Sequence, residues 1–161
     1  MKVLAFDPGY DRLGVAVMER QDGKEQLLFS TCVTTNKTDP LPERLLVIGE
    51  AVKKLLIEHT PEAVAIETLF FNKNAKTAIG VAQARGIVIY LAKAADCTIY
   101  EFGPQEIKIA VTGYGASDKT AVYQMLNRLI TNIPTKAHDD EYDAIAVGVT
   151  CLAHHRNFSQ N

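Results

Sequence analysis

The apolar pattern of this chain changes period once, and that change limits what it can fold into. Residues 2–7, 12–19 and 25–34 read as strands. They are separated by two short turn segments, Pro8-Gly9-Tyr10-Asp11 and Gln21-Asp22-Gly23. Turns this short imply an antiparallel meander. From residue 41 onward the period becomes helical. Leu45, Ile48, Val52, Leu55 and Leu56 mark a helix over 41–59 that Pro61 stops.

Residues 62–67 form a short strand, apolar from Ala63 to Ile66, as expected of a central parallel strand. A helix over 74–95, a strand over 97–102 and a short helix from Pro104 to about 111 follow. The hinge Gly113-Tyr114-Gly115 precedes a helix over 118–130, and a last helix runs from 139 to 156. Three antiparallel strands, then helix–strand–helix–strand, then helices, is the order of the ribonuclease H-like fold. The expectation is an α/β protein with a five-stranded mixed sheet, three antiparallel and two parallel strands, flanked by helices. At 161 residues, a single domain over 1–161 is expected.

Two of the central strands end in acids. Asp7 closes the run Val3-Leu4-Ala5-Phe6, and Glu67 closes Ala63-Val64-Ala65-Ile66. A carboxylate at the tip of a buried strand is costly to desolvate unless a cation meets it. No Lys or Arg stands beside either acid in sequence. In the expected fold the first and fourth strands are neighbours, so Asp7 and Glu67 sit side by side. Asp140 and Asp143, three apart on the last helix, share a face and can be brought up to them. Oxygen-only ligands suit Mg²⁺ or Mn²⁺, and a carboxylate cluster of this kind equips two-metal phosphodiester hydrolysis. Asp139 lies four before Asp143 and satisfies the same geometry; it and Glu141 equally suit a helix N-terminus.

The formal net charge of −2 hides an uneven distribution. Residues 1–67 carry 8 basic and 11 acidic side chains, residues 68–136 carry 8 and 4, and residues 137–161 carry 1 and 4. A basic middle third between acidic flanks fits a nuclease surface around a metal site. Lys119 stands at a helix start, where a cation is mildly unfavourable, which points to a role at a scissile phosphate. Cys32, Cys97 and Cys151 are odd in number, far apart, and fit reduced, inert thiols rather than disulfides or zinc ligands. No apolar stretch approaches the roughly 18 residues of a membrane span, and the run Val3–Phe6 is too short for a signal peptide. A cytoplasmic location is expected.

Four segments, in order, carry a family resemblance: Phe6-Asp7-Pro8-Gly9; Ala65-Ile66-Glu67 with Phe70, Lys73-Asn74-Ala75 and Gln83-Ala84-Arg85-Gly86; Lys108 with Val111-Thr112-Gly113 and Lys119; and Asp140 with Asp143-Ala144-Ile145-Ala146. Over nearly its whole length the chain resembles the RuvC family of bacterial Holliday-junction resolvases. The resemblance implies a homodimeric endodeoxyribonuclease that cuts two opposed strands of a four-way DNA junction, leaving 5′-phosphate and 3′-hydroxyl ends. It implies two Mg²⁺ per subunit, replaceable by Mn²⁺, held by Asp7, Glu67, Asp140 and Asp143, with Asp140 preferred over Asp139. Lys119 and Lys108 would neutralise the reacting phosphate. Phe70 would insert at the junction, with Lys73, Lys76 and Arg85 on backbone phosphates; Arg85 equally suits a structural tie.

The implied partners are a branch-migration motor and its junction-binding tetramer, of the RuvB and RuvA type. The helix at 74–95 is slim at Ala78, Gly80, Ala82, Ala84 and Gly86, and apolar nearly all round from Gly86 to Ala92. It is expected to face the sheet on one side and a second subunit on the other. The competing reading is a nuclease of the same fold acting on RNA or RNA–DNA hybrids.

Overall fold

A computed structural model describes residues 1–68 and 75–158, with the side chains of 75, 76 and 156–158 set aside. Its elements are β1 (Lys2–Asp7), β2 (Arg12–Gln21), β3 (Lys24–Thr34), α1 (Leu41–His59), β4 (Ala63–Glu67), α2 (Ala75–Ala94), β5 (Thr98–Phe102), α3 (Pro104–Thr112), α4 (Lys119–Leu129) and α5 (Asp139–Phe158). The five strands form one sheet in the order β3-β2-β1-β4-β5. β1 pairs antiparallel with β2, and β2 with β3. β1 pairs parallel with β4, and β4 with β5. This is the mixed ribonuclease H-like sheet that the order of periods implied.

The β2–β3 hairpin closes on Asp22 and Gly23, both with positive φ (51° and 77°). A two-residue loop of this kind matches the right-handed twist of its strands. The meander is therefore a local consequence of sequence, whereas the β1–β4 pairing requires α1 to cross over.

Strand alternation divides the core into two layers. Val3 and Ala5 of β1, with Ala63 and Ala65 of β4, face α3, α4 and α5. Leu4 and Phe6, with Val64 and Ile66, face α1 and α2. α5 is buried without interruption from Ala144 to Leu152, because the sheet covers one side and α3 and α4 the other. Gly148 lets it settle on the sheet, since a Cβ there would lie 2.5 Å from Met18 Cγ and 3.3 Å from Ala5 Cβ.

Element ends follow capping chemistry. α1 ends at Thr60 in the left-handed region (φ 42°), whose N–H donates to Leu56 O, just before Pro61. Asp118 caps α4 by accepting from Ala121 N–H at 2.8 Å, so Lys119, not residue 118, is the first helical residue. Glu141 accepts from His138 N–H at 3.3 Å and from Ser30 Oγ–H at 3.1 Å. That gives Glu141 the helix-start role expected of it. No helix among the described residues is long and apolar enough to cross a membrane.

Candidate active site

The β1–β4 ladder pairs Phe6 with Ile66, so the next residues, Asp7 and Glu67, leave adjacent strand ends. Both continue the alternation of Val3 and Ala5, and of Ala63 and Ala65, and so belong to the α5 layer. On its other side Asp7 pairs with Gly14 of β2. A Cβ on Gly14 would lie 1.8 Å from the backbone oxygen of Asp140. Only glycine permits that approach, and it seats the first turn of α5 beside Asp7. Asp143, one turn on, completes the group.

The electrostatics show how closely the four acids communicate. Burial, then the charges of Glu67, Asp143 and Asp140, push the Asp7 carboxyl up to about 8, against a smaller lowering by Lys119. Burial and Asp143 push Glu67 up to about 7, again with Lys119 opposing. Asp143 is raised by burial, with the Lys119 hydrogen bond working against that rise. Lys119 Nζ lies 2.8 Å from Asp143 Oδ2 and 3.8 Å from Asp139 Oδ2. Burial works against the Lys119 charge, but hydrogen bonds to Asp143 and Tyr123 hold its ammonium above its ordinary range.

Lys108 shares the site. A cleft of about 260 Å³ is lined by Glu67, Lys108, Lys119 and Asp143 over a floor of Ile107, Val122 and Ala146. Both lysines that the sequence singled out therefore face the acids. Arg85 is ion-paired with Glu101 and ties α2 to β5. Phe70 and Lys73 lie outside the described residues, as does the side chain of Lys76.

Three contributors were not foreseen. Arg12 Nε lies 2.9 Å from Asp140 Oδ2. Tyr123 O–H reaches Asp143 Oδ1 at 3.4 Å, and Lys119 Nζ sits 5.5 Å from the Tyr123 ring centre. Gly14 is the third. Arg12 is five residues from Asp7, but only the β1–β2 hairpin and the docking of α5 bring it to Asp140. Cys32 is not a core thiol like Cys97 and Cys151: on edge strand β3 it is half-buried, its thiol pushed up to about 11 by burial and then by Asp140.

As placed, no three His, Cys, Asp or Glu side chains among the described residues gather tightly enough to hold an ion. Internal cations engage the two α5 acids instead. The chemistry of the donor set nevertheless fits a hard divalent cation. Asp7 and Glu67 are partly buried, and Lys119 lowers each carboxyl by less than its desolvation raises it. Asp140 Oδ2 is sealed from solvent and accepts no hydrogen bond from the described residues, since Arg12 is close but not aligned with it.

The fold and the position of its acids define a ribonuclease H-like protein with a carboxylate cluster at the C-terminal edge of its central strands. Comparison with known proteins narrows the class. The profile for crossover junction endodeoxyribonuclease RuvC matches residues 3–151. The chain is 42% identical over 153 residues to crossover junction endodeoxyribonuclease RuvC of Thermosipho melanesiensis, covering 95% of this chain and 97% of that one. It superposes with a TM-score of 0.90 and 31% identity on T. thermophilus RuvC in complex with Holliday junction substrate, covering 97% of this chain and 95% of that chain. A yeast mitochondrial Holliday junction resolvase, Ydc2, shares the fold with a TM-score of 0.72 at 13% identity over 98% of this chain and 82% of that chain. The chain belongs to the RuvC family.

Proposed function

We propose that this protein is a structure-selective endodeoxyribonuclease that resolves four-way Holliday junctions in recombination and repair, working as a single nuclease domain over 1–161 in the cytoplasm. One observation carries the reading: Asp7 and Glu67 end adjacent parallel strands, and the first turn of α5 brings Asp140 and Asp143 over them. The solved T. thermophilus relative is bound to a Holliday junction substrate.

Asp7, Glu67, Asp140 and Asp143 would hold two Mg²⁺, or Mn²⁺ in their place, which supply a nucleophilic water at neutral pH and Lewis-acid stabilisation of phosphate oxygens. Lys119 and Lys108, in the cleft beside Glu67 and Asp143, neutralise charge that develops on the reacting phosphate. The hydrogen bonds of Lys119 keep its ammonium charged and aimed across the site. Cleavage on the 3′-oxygen side leaves 5′-phosphate and 3′-hydroxyl ends. Phe70 stacks at the crossover, and Lys73 and Lys76 meet backbone phosphates. Arg85 would have to leave Glu101 to do the same.

A homodimer presents two such sites to two opposed strands. Ala84, Val88 and Ala92 of α2 are buried in the layer shared with α1 and the sheet, and Gly80 packs against Tyr10. On the opposite side Ile79 and Tyr90 are 64% and 71% exposed, and Gly86 has open space beside it. An apolar row at that spacing fits a two-fold partner. Gly86→Lys should give folded monomers by light scattering that lose coordinated cutting of two strands. The branch-migration motor and its junction-binding tetramer, of the RuvB and RuvA type, are the proposed larger assembly.

The test is cleavage of a synthetic four-way junction beside linear duplex and RNA–DNA hybrid, with Mg²⁺ and with EDTA. Selective, Mg²⁺-dependent cutting of the junction is expected, and hybrid cut as well as junction would favour the RNA reading. Asp7→Asn should abolish cleavage yet spare junction binding. A variant that cuts near the wild-type rate would overturn the assignment of Asp7.

A further inference from the structure

Arg12 stands at the mouth of the acidic site with no role in the scheme above. It opens β2, and its Nε lies 2.9 Å from Asp140 Oδ2. The Arg12 side chain is 50% exposed, whereas that of Asp140 is 19% exposed. The contact is Coulombic rather than an aligned hydrogen bond, because Asp140 Oδ2 accepts none from the described residues. A half-exposed guanidinium held without that alignment can be displaced by a better-placed charge.

The loop behind Arg12 is rigidly mounted. Arg44, buried on α1, is ion-paired with Asp11, lies 4.7 Å from the Tyr10 ring centre and donates from Nε to Thr35 Oγ1 at 2.9 Å. The Arg12 side chain can therefore swing while its backbone is held in place. It borders a groove of about 450 Å³, lined also by Lys37, Thr34, Thr35, Asp11 and Asp140. Lys37 is 79% exposed and only 3.8 Å from Asp11, a loose pairing. Asp11, an acid facing the same groove, is ion-paired with Arg44, so two displaceable cations beside hydroxyl-bearing side chains form a surface suited to a backbone phosphate.

We infer that Arg12 is a built-in counter-ion of Asp140 which a divalent cation displaces, and that the freed guanidinium then takes a DNA phosphate in the adjoining groove. The inference rests on the carboxylate site binding metal. Arg12 then opposes metal in the free protein and links metal to DNA in the complex. By reciprocity each ligand tightens the other.

Calorimetric titration of Mn²⁺ into the free protein tests the first half. Arg12→Gln should bind Mn²⁺ about five-fold or more tighter than wild type, and Arg12→Lys should fall between them. Junction binding against salt, in Ca²⁺ and in EDTA, tests the second. With Ca²⁺ present, Arg12→Gln should lose about one unit of salt slope, and Arg12→Lys should recover it. In EDTA the wild-type and Arg12→Gln slopes should coincide. Arg12→Gln binding Mn²⁺ no tighter than wild type, or an unchanged slope in Ca²⁺, overturns the inference and leaves the metal site standing. Failure of both proteins to bind Mn²⁺, with or without junction, removes the metal site and this inference together.

Discussion

Asp139 and Asp140 are neighbours in sequence with opposite surroundings. The Asp139 side chain is 70% exposed and lies 3.8 Å from Lys119, while Asp140 is 19% exposed and lies beside Gly14 and Asp7. The sequence left both as candidates by spacing, and the family pattern preferred Asp140. Burial now separates them. Asp140→Asn should slow single-turnover cleavage by more than the roughly 10–100-fold typical of an outer-shell residue. Asp139→Asn should stay within the about 0.5 kcal/mol of an ordinary surface change, roughly two-fold in rate. A larger defect at Asp139 would reverse the assignment. Asp7 and Glu67 were legible because an acid ending an apolar strand is a pattern within one segment. Arg12 and Tyr123 were not, because each meets its acid only through the docking of a distant helix.

At the scale of elements, the site depends on how closely α5 approaches the sheet. Gly14 is the contact point: a Cβ there would lie 1.8 Å from Asp140 O and 2.5 Å from its carbonyl carbon. Both atoms are backbone, so the helix must move rather than a side chain rotate. Gly14→Ala should therefore cost about 1–3 kcal/mol as overpacking, read as a lower midpoint in urea. It should slow cleavage by more than the fraction unfolded explains, since the shift falls on Asp140 itself. Full activity with only a stability loss would show that α5 adapts without moving its acids. The elements themselves were readable because hydrophobic period and turn residues are local. The largest boundary shifts are the extension of β2 to Gln21 and of α5 to Phe158. The docking distance of α5 was not readable, since Gly14 looks in sequence like any strand glycine.

At the scale of the molecule, the fold stores an electrostatic cost at one point. Asp7 and Glu67 belong to the two central strands, so the sheet cannot form without burying them. Desolvation, then the neighbouring acids, pushes these carboxyls up to about 8 and about 7 in the folded chain, against ordinary values of 3.8 and 4.5. Between those limits the folded protein holds protons that the unfolded chain releases. Stability from these groups is therefore fully present below about pH 4 and is lost as pH rises through their folded values, at up to about 1.4 kcal/mol per pH unit for each group. A divalent cation held by the carboxylates would replace those protons and remove the penalty. In EDTA, the melting temperature should accordingly fall between about pH 5 and about pH 9, and Mg²⁺ should restore most of the loss at the higher pH. Asp7→Asn cannot ionise at that position, so it should flatten the decline in EDTA and gain less from Mg²⁺. Equal pH slopes for wild type and Asp7→Asn would mean that the buried charge at the end of β1 is not what the metal relieves.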